Sequence, residues 1–191
     1  MIIAVLIVAA VVSIPIAGGS FSELSGLSIR GSWLMLFGLG IQAVVIFSDS
    51  TIDHSMAVAI HLASYGCAVI FCALNHRVRW MGVVGLGGSM NLVAIAANGG
   101  VMPASPWATH VAGIVQQPGA FANSTIVDHA RLQFLGDILP IPKSWPFSNV
   151  FSVGDLFLVV GFVLVLHEAS GARWIRSWPS APVVNTTAST P

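Results

Sequence analysis

The sequence predicts an all-α integral membrane protein with five transmembrane helices, and three observations predict it. Of 191 residues, 55% are hydrophobic and only 7% are charged, against about 25% charged in a soluble domain. Mean hydropathy is +0.88. Five apolar stretches, 1–17, 33–47, 56–74, 80–97 and 153–167, approach the roughly 20 residues a spanning helix needs. Seven basic and seven acidic side chains cannot coat a water-facing surface, nor can they form the basic stripe of a nucleic-acid binder. An ordinary soluble enzyme is excluded on the same ground. Cys67 and Cys72 are too few for a disulfide scaffold and fall on different faces of one helix.

The first stretch has no Lys or Arg ahead of it, and Pro15-Ile16-Ala17 is a poor cleavage site. It is therefore expected to be a retained helix rather than a removed signal. The second and fifth stretches are short, so their ends must sit at the interface or the bilayer must thin. The long connection 98–152 is rich in Pro, Gly and polar residues. A structureless loop of that length is unusual, so a folded cap on the helix ends is expected, with helical pieces over 109–115 and 125–135. Residues 1–176 then form one membrane domain. The tail 177–191, of Pro, Ser, Thr and Ala, reads as a flexible or partner-bound arm.

Sidedness follows the Lys and Arg residues. Arg30, Arg77, Arg79, Arg173 and Arg176 fall on one side, and Arg131 and Lys143 fall in the long loop. This predicts a cytoplasmic C-terminus, an outer N-terminus and an extracytoplasmic long loop between the fourth and fifth spans. Trp33, Trp80, Trp174 and Trp178 accompany the arginines.

Within the spans, His61 and Tyr65 are four apart and share a helix face, while Gln42 and Asn91 lie on the second and fourth helices. A polar group alone in hydrocarbon costs several kcal/mol, so each must find a neighbour. Two readings are open: interhelical hydrogen bonding that fixes the packing, or a pocket for quinone, haem or lipid centred on His61. His61 has no second histidine at matching depth, which argues against a self-contained bis-histidine haem. Ala59 and Ala63 on the third helix, with Gly82, Gly85 and Ser89 on the fourth, are spaced for close helix approach, within the bundle or to another subunit.

Three strings punctuate the long loop. Asn98-Gly99-Gly100 with Met102-Pro103 stops the fourth helix, and Gly136-Asp137 with Pro140 and Pro142 reads as a turn before an extended segment. Ser152-Val153-Gly154-Asp155 has capping-box spacing. The architectural reading is punctuation. The functional one is a site at which Asn98, Asp137, Asp155, His110 and His129 converge. Their spacing fits no zinc template, and the chain has no His-Glu-x-x-His, Gly-x-Ser-x-Gly, phosphate loop or Cys-x-x-Cys. No cofactor, metal or catalytic residue is predicted.

The three strings, in this order after a Gly-rich fourth span, resemble an uncharacterised bacterial, actinobacterial-type family of small polytopic membrane proteins described only as a domain of unknown function. The resemblance runs from the first helix to the fifth and implies a topology in the bacterial plasma membrane but no activity. The leading functional expectation is a non-catalytic accessory subunit of a larger membrane assembly, with a respiratory oxidase or supercomplex as the concrete host. Its expected partners are other integral membrane subunits and lipids, not nucleic acid. A small-molecule binding protein with a pocket near His61 is the alternative, and a membrane enzyme with its site in the outer loop is the third.

Overall fold

The computed structural model of the chain describes residues 2–47, 53–115 and 124–176. Five long helices account for the five apolar stretches: α1 (Ile2–Ile16), α2 (Ser32–Phe47), α3 (His54–Leu74), α4 (Met81–Ala97) and α6 (Val153–Ala169). Two short ones, α5 (Pro106–Ala112) and α7 (Arg173–Arg176), lie in the long connection and after α6. Among the described residues, one helix, over Ser55–Leu74, is long and apolar enough to cross a membrane, while α1, α2 and α4 contribute shorter apolar segments.

Packing places the long helices in a row. α2 lies on α3, α3 on α4, α4 on α6, and α6 on α1. The tightest seam is between α4 and α6. A Cβ on Gly87 would stand 2.5 Å from the Gly154 carbonyl oxygen, and one on Gly161 would stand 2.7 Å from the Val84 backbone nitrogen. Glycine is what lets these two backbones meet.

The connection between α4 and α6 corrects the all-α expectation, because it contains two small sheets. β1 (Met102–Pro103) pairs in parallel with β2 (Ser124–Thr125), and β3 (Asp137–Ile141) pairs antiparallel with β4 (Asn149–Ser152). An isolated bridge from Ala104 to Asp137 joins the two sheets. The helical piece expected over 109–115 begins earlier, at Pro106, because Ser105 caps it and proline fits its first turn. It ends at Gly113, whose φ of 66° closes the helix in the left-handed region.

The helix expected over 125–135 is overturned. That stretch holds the end of β2, turns, and one 3-10 turn at Gln133–Leu135. His129 and Leu132 both sit at φ 53°, which no α-helix accommodates. The physical reason is Asn98, which ends α4. Its carboxamide donates to the Arg131 carbonyl at 2.7 Å and accepts the Arg131 N–H at 2.8 Å, holding this backbone in a turn. The tail 177–191 lies outside the described residues.

Candidate functional site

The most polar part of the interior lies where α6 begins. Ser152 is the last residue of β4 and the N-cap of α6. Its Oγ accepts the Asp155 N–H at 2.9 Å, and Asp155 Oδ2 accepts the Ser152 N–H at 3.0 Å. This reciprocal box satisfies two N–H groups that a helix start leaves open. Its spare atoms then reach α4. Ser152 Oγ–H donates to Asn91 Oδ1 at 2.9 Å, and Asn91 Nδ2–H donates to Asp155 Oδ1 at 2.7 Å. Asn91 and Ser152 are both fully buried. A side chain on Gly154 would overlap Asn91 Oδ1, so glycine is required there for the ring to close.

A second carboxylate adjoins the ring. Asp137 faces Ser152 across the β3–β4 ladder, and Ser124 Oγ–H donates to its Oδ2 at 2.5 Å. The Asp137 carbonyl accepts the Ser105 N–H at 3.0 Å. Burial pushes the Asp137 carboxyl up to about 6; the Ser124 hydrogen bond opposes that rise, and the charge of Asp155 adds to it. On α3, Tyr65 meets the Asn91 side chain and lies within electrostatic reach of Asp155 and Asp137. One turn earlier, buried His61 packs edge-on to Tyr65, with ring centroids 5.3 Å apart.

Of the four residues expected around a pocket, the structure brings His61, Tyr65 and Asn91 together. The Gln42 side chain lies outside the described residues. A groove of about 200 Å³ does lie beside them, between α2 and α3, lined by Leu34, Met35, Gly38, Leu39, Ser64 and Ala68 with Tyr65. Of His61, Tyr65 and Asn91, Tyr65 lines it. Of the loop residues, Asp137 and Asp155 join the network, whereas Asn98 is bound to Arg131 and stands apart. His110 and His129 are exposed. Among the described residues, no group of three or more His, Cys, Asp or Glu is placed to hold a metal.

The small residues divide. Gly85 faces Cys72, with 3.2 Å between its would-be Cβ and the Cys72 Cβ, so it serves the α3–α4 contact. Ala59, Ala63 and Gly82 are exposed, and Ser89 is half-buried. The α4–α6 seam rests on Gly87, Gly154 and Gly161 instead, a pairing visible only once α6 is known to lie on α4. Sequence reasoning also missed Ser124 and Asn75.

At the opposite end of the row, Asn75 ends α3. Its carboxamide accepts the Arg30 N–H and donates to the Arg30 carbonyl, both at 2.8 Å. Arg79 pairs with Glu168 at 3.0 Å, and the Trp80 indole N–H donates to the same carboxylate at 3.2 Å. These contacts hold Trp80 at φ 69°, a left-handed conformation costly for a bulky residue. Buried His167 on α6 accepts the Trp174 indole N–H on Nδ1 at 2.6 Å and meets Ser13 Oγ of α1 through Nε2 at 2.9 Å. The acceptor role of Nδ1 leaves Nε2 as the protonated nitrogen.

Fold and network together define a mostly helical protein with, among the described residues, one helix long and apolar enough for a membrane and a small mixed α/β cap bonded to its helix ends. The chain belongs to DUF5317, a family of unknown function that matches residues 26–167. No curated protein and no solved structure matches it.

Proposed function

We infer that the chain is a multi-pass integral protein of the bacterial plasma membrane that serves as a non-catalytic structural subunit of a larger membrane assembly. The observation that carries the structural role is the closed ring of Asn91, Ser152 and Asp155. Each of its polar atoms is engaged by another atom of the ring, so it joins α4, α6 and the cap rather than waiting for a substrate. Asp137, the other carboxylate, is likewise committed to Ser124. A catalytic acid–base pair needs a free face toward its substrate.

Embedding in a bilayer rests on an inverted polarity. Val8, Leu36 and Leu39 are 62%, 72% and 64% exposed, whereas His61, Asn91, Ser152, His167 and Ser170 are buried. Large apolar side chains exposed on both edge helices of the row, with the polar ones turned inward, belong against lipid or another subunit. Five crossings, with the arginine end cytoplasmic and the cap outside, follow from the charge placement. The shorter helices span by local thinning of the bilayer.

Purification from the native membrane in mild detergent tests this. Co-purifying membrane chains, such as those of a respiratory assembly, are expected. Migration as a lone monomer would overturn the subunit reading, and release of the chain by alkaline carbonate would overturn the membrane reading.

A second reading, a small-molecule protein, draws on the groove between α2 and α3. At about 200 Å³ it falls below the roughly 300–1,000 Å³ of drug-sized pockets. It suits a slender apolar chain better than haem, and Ala68→Phe would abolish any ligand it holds.

A further inference from the structure

We propose that the end of the molecule carrying Arg30 and Arg77 docks on the phosphate head groups of anionic membrane lipids, an inference that rests on the membrane reading above. The charges of this neutral chain are separated along its length. Arg30, Arg77, Arg79, Arg173 and Arg176 share one end with only Glu23 and Glu168. The contacts confirm that these segments meet. Asn75 holds the Arg30 backbone, Arg79 pairs with Glu168, Arg176 pairs with Glu23, and the Arg173 N–H donates to the Ala17 carbonyl.

Within this end the arginines differ. Arg79 and Arg176 each hold a glutamate, while Arg30, Arg77 and Arg173 make no ion pair among the described residues. Asn75 lies two residues before Arg77 and grips both backbone polar groups of Arg30. Two guanidinium groups without a carboxylate are thereby carried on adjoining segments. Cations carried on adjoining segments with no carboxylate partner attract an anion.

The surroundings select the anion. Ile29, Trp33 and Leu74 flank these arginines in sequence and are 41%, 65% and 48% exposed. An amphiphile covers both the cations and this apolar rim, whereas a soluble phosphate covers only the cations. Tryptophan beside arginine is also the composition of a membrane interface.

The test uses the full chain in mild detergent, offered equal amounts of phosphatidylglycerol and phosphatidylcholine and read by native mass spectrometry. Wild type is expected to retain phosphatidylglycerol about thirtyfold better, the fold-change given by roughly 1 kcal/mol of attraction at each of Arg30 and Arg77. Arg30→Gln/Arg77→Gln is expected to fall to parity. It keeps its fold because Asn75 bonds the backbone of Arg30, which circular dichroism checks. Arg131→Gln, at the other end, is expected to keep the wild-type preference. Equal retention by wild type, or the same loss in Arg131→Gln, would overturn the proposal. So would displacement of the lipid by excess inorganic phosphate, which would mark a free-anion site. A chain that inserts into vesicles without this preference defeats only this inference, while one that does not insert defeats the membrane reading with it.

Discussion

The two ends of the helix row solve one problem with the same residue and different surroundings. At each end an asparagine stops a helix, donates back to the carbonyl four residues earlier (Asn75 to Phe71 at 2.8 Å, Asn98 to Ala94 at 2.7 Å) and clamps the backbone of a distant arginine. Beyond that device the ends diverge. The cap end buries Asp137, half-buries Asp155 and satisfies both with neutral donors, namely Ser124, Ser152 and Asn91. The arginine end leaves its carboxylates half-exposed and pairs them with guanidinium groups. A buried carboxylate held by neutral donors is sensitive to any lost partner, whereas an exposed ion pair is screened by water. Rigidity is therefore expected at the cap end and tolerance at the other.

The largest effect should come from the α4–α6 seam. Gly154→Ala forces a methyl into Asn91 and is expected to cost about 3 kcal/mol, read as a fall in the midpoint of thermal unfolding in detergent. Gly82→Ala meets open space and should not lower that midpoint. Equal effects would erase the distinction drawn here.

Next come the asparagines. Asn91→Leu strands buried Ser152 and half-buried Asp155 and should cost about 2–3 kcal/mol. Asn75→Ala, at a 3% exposed position, should cost about 1–2 kcal/mol, and Asn98→Ala, half-buried, should cost less. Hydrogen exchange at the Arg30 and Arg131 amides separates the last two, since each variant should speed exchange only at its own arginine.

Asp137 supplies the pH dependence. Its carboxyl titrates at about 6 in the fold, above its usual 3.8. Stability from this residue is thus fully present below pH 3.8 and is lost as pH rises through about 6. Protection of the β3–β4 amides is expected to be higher at pH 4.5 than at pH 7.5, in about that direction and no further. Asp137→Asn should flatten the profile and stabilise the cap by roughly 1–2 kcal/mol at neutral pH. A profile unchanged by that substitution would sink the assignment.

The smallest effect belongs to the arginine end. Arg79→Gln is expected to cost about 0.2–1 kcal/mol, and the loss should shrink in high salt. A loss as large as that of Asn91→Leu would show that the ends do not differ in kind.

The helices were legible in the sequence because hydropathy alone marks them. The stretches 33–47, 56–74, 80–97 and 153–167 share one boundary each with α2, α3, α4 and α6 and miss the other by one or two residues. The capping box at Ser152 was legible for the same reason, being a local pattern of residue types. In the cap, the extended segment after Gly136 was legible and became β3, but the strand pairing was not, since the strands are only two to five residues long and owe their shape to distant partners. Asn98 reads locally as a helix stop, and nothing nearby in the chain says that it also binds Arg131. Asn91 and Tyr65 stood out as polar residues in apolar stretches. That they meet Asp137 and Asp155 depends on a cap folding back over 55 residues of connection, which no periodicity records.

The row also has an odd member. α2, α3, α4 and α6 each lie beside their neighbour in the chain, but α1 packs at the far edge, against α6. α1 therefore finds its packing partner only when α6 has been made: synthesis halted before residue 153 would leave Ser13 without His167.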